Sequence, residues 1–237
     1  MPDIADSFAT GGWEFTPEVT AVFDDHVRAS VPYYDDIQQM VAEFSDWLLP
    51  DNSLFVDLGA STCTTLETIC DRHPTRRFRA ELYDEEPSML DKAKDKVGGL
   101  NVSPTFHVQR LQQPFKHKDA DLTVSLFTLQ FLREPDRLAV LTEARRCSAP
   151  NGALILAEKI RPEHPLLAEI AMDASHDFKA KCGLNDTAIR SKARALRGVL
   201  MPQPLPTLMT ELSKAGWNNA DVVFRWHQWV IVIGFAR

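Results

Sequence analysis

Two acids and one glycine, each placed where an apolar run stops, carry the first chemical signal. Residues 54–65 read "LFVDLGASTCTT": Asp57 closes an apolar run, Gly59 follows it, and Ala60 and Ser61 come next. Glycine at such a point permits a turn and lets the backbone approach a ligand closely. Further on, "LYDEE" closes a second apolar run with Asp84 and Glu85, near the roughly 20-residue spacing at which an acid reaches a ribose. A carboxylate there can accept from both ribose hydroxyls. The competing accounts are ordinary turn chemistry for Asp57 and Gly59 and a helix N-cap for Asp84. Two later run ends, "RLQQ" with Leu111 and Gln112 and "SLFTLQFL" with Leu126, complete a set of four.

Other side chains are chemically able but less specific. Tyr34 in "SVPYYDDI" is either a ligand contact or a packing aromatic on an amphipathic helix. His176 in "SHDFKAKCG" could act as a base or make a structural hydrogen bond. Arg190, Arg194 and Arg197 are spaced so that they share one helical face, which either receives an anionic substrate or is simply solvated. The four cysteines, Cys63, Cys70, Cys147 and Cys182, show no CxxC spacing, so neither a metal site nor a disulfide framework is indicated.

These positions must be held by elements that the hydrophobic period reveals. It alternates between two and about 3.6, the pattern of strands and helices in turn. "PEVTAVFDDHVRAS" and "YDDIQQMVAEFSDWLL" form a helical preface over residues 13–49. Strands follow at "SLFVDLG", "RFRAELYD", "TFHVQR", "ADLTVSLF" and "ALILAEK", with helices at "TTLETICDR", "EPSMLDKAKDKV" and "EPDRLAVLTEARRC" and a turn at "APNG". The order βαβαβ(α)βαβ implies a mostly parallel sheet, whose ligand crevice lies beyond the carboxyl ends of its strands. About residues 162–215 are a helical insertion, and "DVVFRW" and "QWVIVIGFA" close the sheet as an antiparallel hairpin. The expectation is an α/β fold, a seven-stranded sheet in a single domain over residues 1–237, with "MPQPLP" a stiff connection between helices.

Composition bounds the class. A chain of 237 residues, 44% hydrophobic, can bury a sizeable core. The net charge of −7 argues against direct nucleic-acid binding as the main task. No run of about 18 apolar residues occurs, so the expectation is a soluble, cytoplasmic protein with no membrane span.

One glycine is too few to seat a pyrophosphate, for which the dinucleotide fingerprint uses three. A cofactor with an adenosine but no phosphate fits better, and S-adenosylmethionine is such a molecule. At this point the chain resembles a known family. "SVPYYDDI", "VDLGAS", "YDEEPSML", "LFTLQFLREP", "NGALILAEK", "SHDFKAKCG" and "LSKAGW", in this order, are similar to the carboxy-S-adenosylmethionine synthases, a branch of the Rossmann-like class I methyltransferase fold. The resemblance implies binding of S-adenosylmethionine or a carboxylated derivative. It also implies prephenate as carboxyl donor to the methyl group beside the sulfonium, the product feeding modification of wobble uridine in tRNA. It places Tyr34 near the methionine tail, Gly59 in the cofactor loop and Asp84 on the ribose.

Departures from the family pattern are specific. Its second loop glycine falls on Cys63, its acid beside the adenine near Leu111 or Gln112, and its asparagine before "FTLQFL" on Leu126. Its arginine for the added carboxylate falls on Ala193, next to Arg194. Three readings stand at this stage. The first is an S-adenosylmethionine-dependent methyltransferase acting on a small molecule, an anionic one where the arginine face receives it, with Tyr34, His176 and Arg194 as catalytic candidates. The second is the carboxy-S-adenosylmethionine synthase, and the third a non-catalytic cofactor-binding relative. The helical insertion could build a homodimer contact as well as a lid.

Overall fold

A computed structural model describes residues 17–236. Three helices, α1 (Pro17–Ala21), α2 (Phe23–Arg28) and α3 (Tyr34–Leu48), precede the first strand. Then come β1 (Leu54–Leu58), α4 (Thr64–Arg72), β2 (Arg79–Asp84), α5 (Pro87–Val97), β3 (Ser103–Val108), β4 (Ala120–Leu126), α6 (Glu134–Arg146) and β5 (Ser148–Lys159). The insertion is α7 (Pro165–Lys181), α8 (Asp186–Ala195) and α9 (Leu205–Lys214), and β6 (Asn218–Trp226) and β7 (Trp229–Phe235) end the fold. The sheet runs β3-β2-β1-β4-β5-β7-β6, parallel through β5 and antiparallel at β7 and β6.

Local chemistry explains the elements. All five residues of β1 are buried, as a central strand covered on both faces must be. Phe55 packs with Leu66, Ile69 and Val41 on one face of the sheet, while Val56 and Leu58 pack with Leu141, Leu212 and Trp217 on the other. Trp217 is fully buried and its indole donates to the Leu141 carbonyl at 3.0 Å, so the segment joining α9 to β6 is keyed to α6. Pro87 sits in the first turn of α5, behind Glu86, whose side chain accepts from the Ser88 amide. Asn185 caps α8 in the same way through the Ala188 amide at 2.8 Å.

Three elements differ from the sequence expectation. The helix read over "PEVTAVFDDHVRAS" divides into α1 and α2 around Val22. The turn expected at "APNG" lies inside β5, where a register shift opposite Ala120 and Leu122 absorbs the extra residues. Gly152 is required there because a Cβ would press on the Ser148 side chain and the Ala120 carbonyl. The crossover after β3 holds no helix: residues 109–119 make it as a loop. The part of the preface before residue 17 lies outside the described residues.

Candidate functional site

At the carboxyl ends of β1 to β4 a cavity of about 960 Å³ opens under α2, α3 and the insertion. The loop after β1 is its floor. Gly59 has φ +96°, and its amide and that of Ala60 donate to the Tyr83 carbonyl at 2.8 and 2.9 Å. A Cβ on Gly59 would collide with the Thr128 side chain, so only glycine allows this approach. Cys63 takes the left-handed conformation, φ 60° and ψ 30°, that the family glycine would adopt without strain. The loop is tied overhead, for the Thr62 hydroxyl donates to Asp24 of α2 at 2.5 Å. Burial opposes the Asp24 charge, but Thr62, Lys96 and Lys92 outweigh it and hold its carboxyl below the usual range.

Asp84 is fixed before any ligand arrives. One oxygen accepts the Ser61 amide at 2.8 Å and the other the Glu86 amide at 3.0 Å. It does not cap α5, since that position belongs to Glu86. Burial raises its pKa, and the Glu85 and Glu86 charges add to this while the two amides oppose it. Asp57 is 2% exposed and is pushed up to about 8, by burial first and by the Asp84 charge second. Tyr34, the first residue of α3, is pushed up to about 12 by burial against hydrogen bonds from Gln38 and Thr64, so it is a neutral phenol. Beside it the buried Gln38 Oε1 has no hydrogen-bond partner among the described residues, and Gln38 lines the cavity.

The structure brings Tyr34, Asp57, Gly59, Ala60, Ser61, Asp84, Glu85, Leu111, Gln112 and Leu126 to one cavity wall. It leaves two candidates outside. His176, on α7, is absent from the wall, because the turn of α7 that faces the cavity presents Lys179 instead. Arg194 is exposed, as are Arg190 and Arg197, because α8 buries its opposite side. That buried side consists of Ile189 and Lys192, with Leu196 and Val199 beyond the helix end on the cavity wall. Ala193 is exposed too.

What the reading of the sequence missed is a set of amines. Lys159 at the end of β5, Lys179 of α7 and Lys192 of α8 all line the cavity, and so do His26 and Ser30. Lys192 Nζ lies 2.5 Å from His26 Nε2 and donates to the Ser30 hydroxyl at 2.7 Å. Burial pulls Lys159 down to about 8, helped by the Lys179 charge. Burial lowers Lys179 as well, and Lys192 is lowered by burial and by both other amines. His26 falls to about 3, from burial and then from Lys192 and Lys179. The spacing of Ile189, Lys192 and Leu196 was the available signal, since it puts Lys192 on the apolar stripe of its helix.

Comparison with known proteins gives this cavity a context. Residues 55–152 match the family described as "Methyltransferase domain". The chain is 30% identical over 223 residues to carboxy-S-adenosyl-L-methionine synthase of Campylobacter jejuni serotype O:2, covering 94% of each. It is 31% identical to that of Methylococcus capsulatus, over 92% of this chain and 91% of the relative. The chain belongs to the carboxy-S-adenosyl-L-methionine synthase family.

As a member of the carboxy-S-adenosyl-L-methionine synthase family it is an S-adenosylmethionine-dependent transferase. Solved structures agree on the Rossmann-like methyltransferase fold. An O-methyltransferase family protein from Burkholderia thailandensis superposes with TM-score 0.66 at 18% identity, covering 98% of this chain and 62% of that one. The citrinin polyketide synthase CMeT domain gives 0.67 at 15%, covering 93% and 57%. The cradle suits the cofactor of the family. Gly59 leaves the loop backbone open, Asp84 keeps a lone pair on each oxygen for a hydroxyl, and Gln38 Oε1 is an acceptor without a donor among the described residues. No helix among the described residues is long and apolar enough to cross a membrane, and no metal-holding group of three or more His, Cys, Asp or Glu occurs among them.

Proposed function

We propose that the protein is a carboxy-S-adenosylmethionine synthase. The observation that supports this most is a single cavity lined both by the Gly59 and Asp84 cradle and by residues of α2 with Leu196, Val199 and Leu200. At about 960 Å³ it stands near the top of the range for small-molecule sites, enough for a cofactor and a second small molecule side by side. S-adenosylmethionine supplies a methyl group acidified by the sulfonium. In the reaction one methyl hydrogen leaves as a proton and the methyl carbon bonds to carbon dioxide released from the donor, for which the resemblance of the sequence implies prephenate. The electron pair left on the donor expels its hydroxide, which takes up the proton as water. Asp84 holds the ribose, Tyr34 and Gln38 meet the amino-acid tail, Glu85, Leu111, Gln112 and Leu126 flank the adenine, and α2 with the 196–200 segment keeps out water.

A second reading, methyl transfer to a small acidic acceptor, draws on the exposed Ala193, which offers no guanidinium for an added carboxylate. Mass spectrometry of ligand released from the purified protein separates the two. Carboxylated cofactor supports the first, and S-adenosylhomocysteine with a methylated acid supports the second. We also read the chain as a single cytoplasmic domain that forms a homodimer and has no direct contact with nucleic acid. The exposed apolar residues Leu166, Leu167, Ile170 and Met172 of α7 support the self-association.

A further inference from the structure

We infer that Tyr83 is a positioning residue for the adenosine half of the cofactor: its hydroxyl, through His117, pins the loop of residues 109–119, while its carbonyl holds the loop after β1. This rests on the proposed placement of the adenine beside Leu111 and Gln112, and it adds the residues that keep that wall in place. Gly59 and Ala60 both donate their amides to the Tyr83 carbonyl, at 2.8 and 2.9 Å. The Tyr83 hydroxyl oxygen accepts the Lys116 amide at 3.3 Å and lies 2.9 Å from His117 Nδ1. One residue, next in the chain to Asp84, thus touches the loops that follow two different strands. Tyr83 is fully buried, so water does not compete for these bonds.

The loop has need of such a pin. Residues 109–119 form neither helix nor strand, so no backbone ladder fixes them, yet Leu111 and Gln112 line the cavity. The Gln109 amide donates to the Asp84 carbonyl at 2.9 Å, and the Phe115 amide to Glu143 of α6 at 3.2 Å. Arg110 meets Glu85 at 3.2 Å, but both are exposed and such a pair holds little. Packing alone gives no reason for a phenol at position 83, because phenylalanine fills nearly the same space without burying a hydroxyl and an imidazole. Burial first, and His107 second, pull His117 down to about 4, so at neutral pH its ring is uncharged and one nitrogen accepts. The Tyr83 oxygen already takes the Lys116 N–H, so its own hydrogen goes to Nδ1. Stacking fixes both partners: the Tyr83 ring lies 4.3 Å from that of His107 at 13°, and Phe115 lies 5.5 Å from His117 at 17°.

Tyr83→Phe keeps the ring and the carbonyl and removes only the pin. By calorimetry it is expected to raise Kd for S-adenosylmethionine about ten-fold, while kcat at saturating S-adenosylmethionine and prephenate stays within about two-fold. Methylthioadenosine, which has the adenosine without the amino-acid tail, is expected to lose affinity by the same factor. The loop side carries the same test. His117→Asn retains an acceptor where Nδ1 stands and is expected to bind the cofactor within about two-fold of wild type, whereas His117→Phe is expected to weaken it as Tyr83→Phe does. Tyr83→Phe combined with His117→Phe is expected to bind no more weakly than either alone, since both remove one contact. An unchanged Kd in Tyr83→Phe, a loss that methylthioadenosine does not share, a fall in kcat at saturation, equal weakening by the two His117 variants, or additive losses would overturn the assignment. If wild type yields no carboxylated cofactor, the proposed reaction fails, while the affinities still decide the role of Tyr83.

Discussion

Asp84 shows how much of this site is decided by single residues. Its two oxygens are already oriented by the Ser61 and Glu86 amides, so ribose binding meets a group that needs no reordering. Gly59 is equally constrained, by φ +96° and by the Thr128 side chain. Gly59→Ala is expected to cost about 1–3 kcal/mol of stability and to weaken S-adenosylmethionine binding, measured by urea denaturation and calorimetry. Asp57 makes a pH-dependent prediction. Its folded pKa is about 8 against an ordinary 3.8, so between these values the folded protein keeps a proton that the unfolded chain has released. Stability from this group is therefore lost as pH rises through that window. The ligand-free Asp57→Asn protein should gain on wild type from about pH 4 to about pH 8 and stop gaining above it; a gap that stays constant would contradict the buried, protonated acid. These residues were legible because strand ends mark themselves in sequence. Lys159 and Lys179 were not, since nothing in a chain of 26 lysines and arginines distinguishes an amine that faces inward.

At the level of elements, α8 decides the most. A helix turns about 100° per residue, so one position separates an inward from an outward side chain. Lys192 is buried, and Ala193 and Arg194 are exposed. The three-arginine face seen in the sequence is solvated, while the apolar stripe beside it carries the amine into the cavity. Arg194→Ala is expected to leave kcat/KM within about two-fold, as surface changes usually do, and a larger loss would place Arg194 in the chemistry after all. Most strands and helices could be read from period and breakers, including the antiparallel end of the sheet. The exceptions have local causes. The "APNG" segment has turn composition but is carried within β5 as the extra residues between the Ala120–Ser148 and Leu122–Ala153 pairs, a tertiary effect that propensity does not contain. Residues 109–119 simply lack the apolar spacing of a helix, and the loop they form carries Leu111 and Gln112 to the cavity wall.

The whole molecule combines a methyltransferase-type sheet with a helical roof that the sheet alone does not need. α2 and the turn after it join both parts, through Thr62 and Asp24 to the cofactor loop and through His26 and Ser30 to Lys192. The roof also leaves an apolar face on α7. Light scattering on the purified protein is expected to give the mass of a dimer, and Leu167→Lys to shift it toward the monomer; a monomeric wild type would remove the assembly from the account. The central claim, carboxyl transfer onto the cofactor, is tested most directly by turnover. Purified protein incubated with S-adenosylmethionine and prephenate, and followed by mass spectrometry, should convert the cofactor to its carboxylated form in more than stoichiometric amount as prephenate disappears. Recovery of the cofactor unchanged, or its conversion to S-adenosylhomocysteine with a methylated acid, would contradict it.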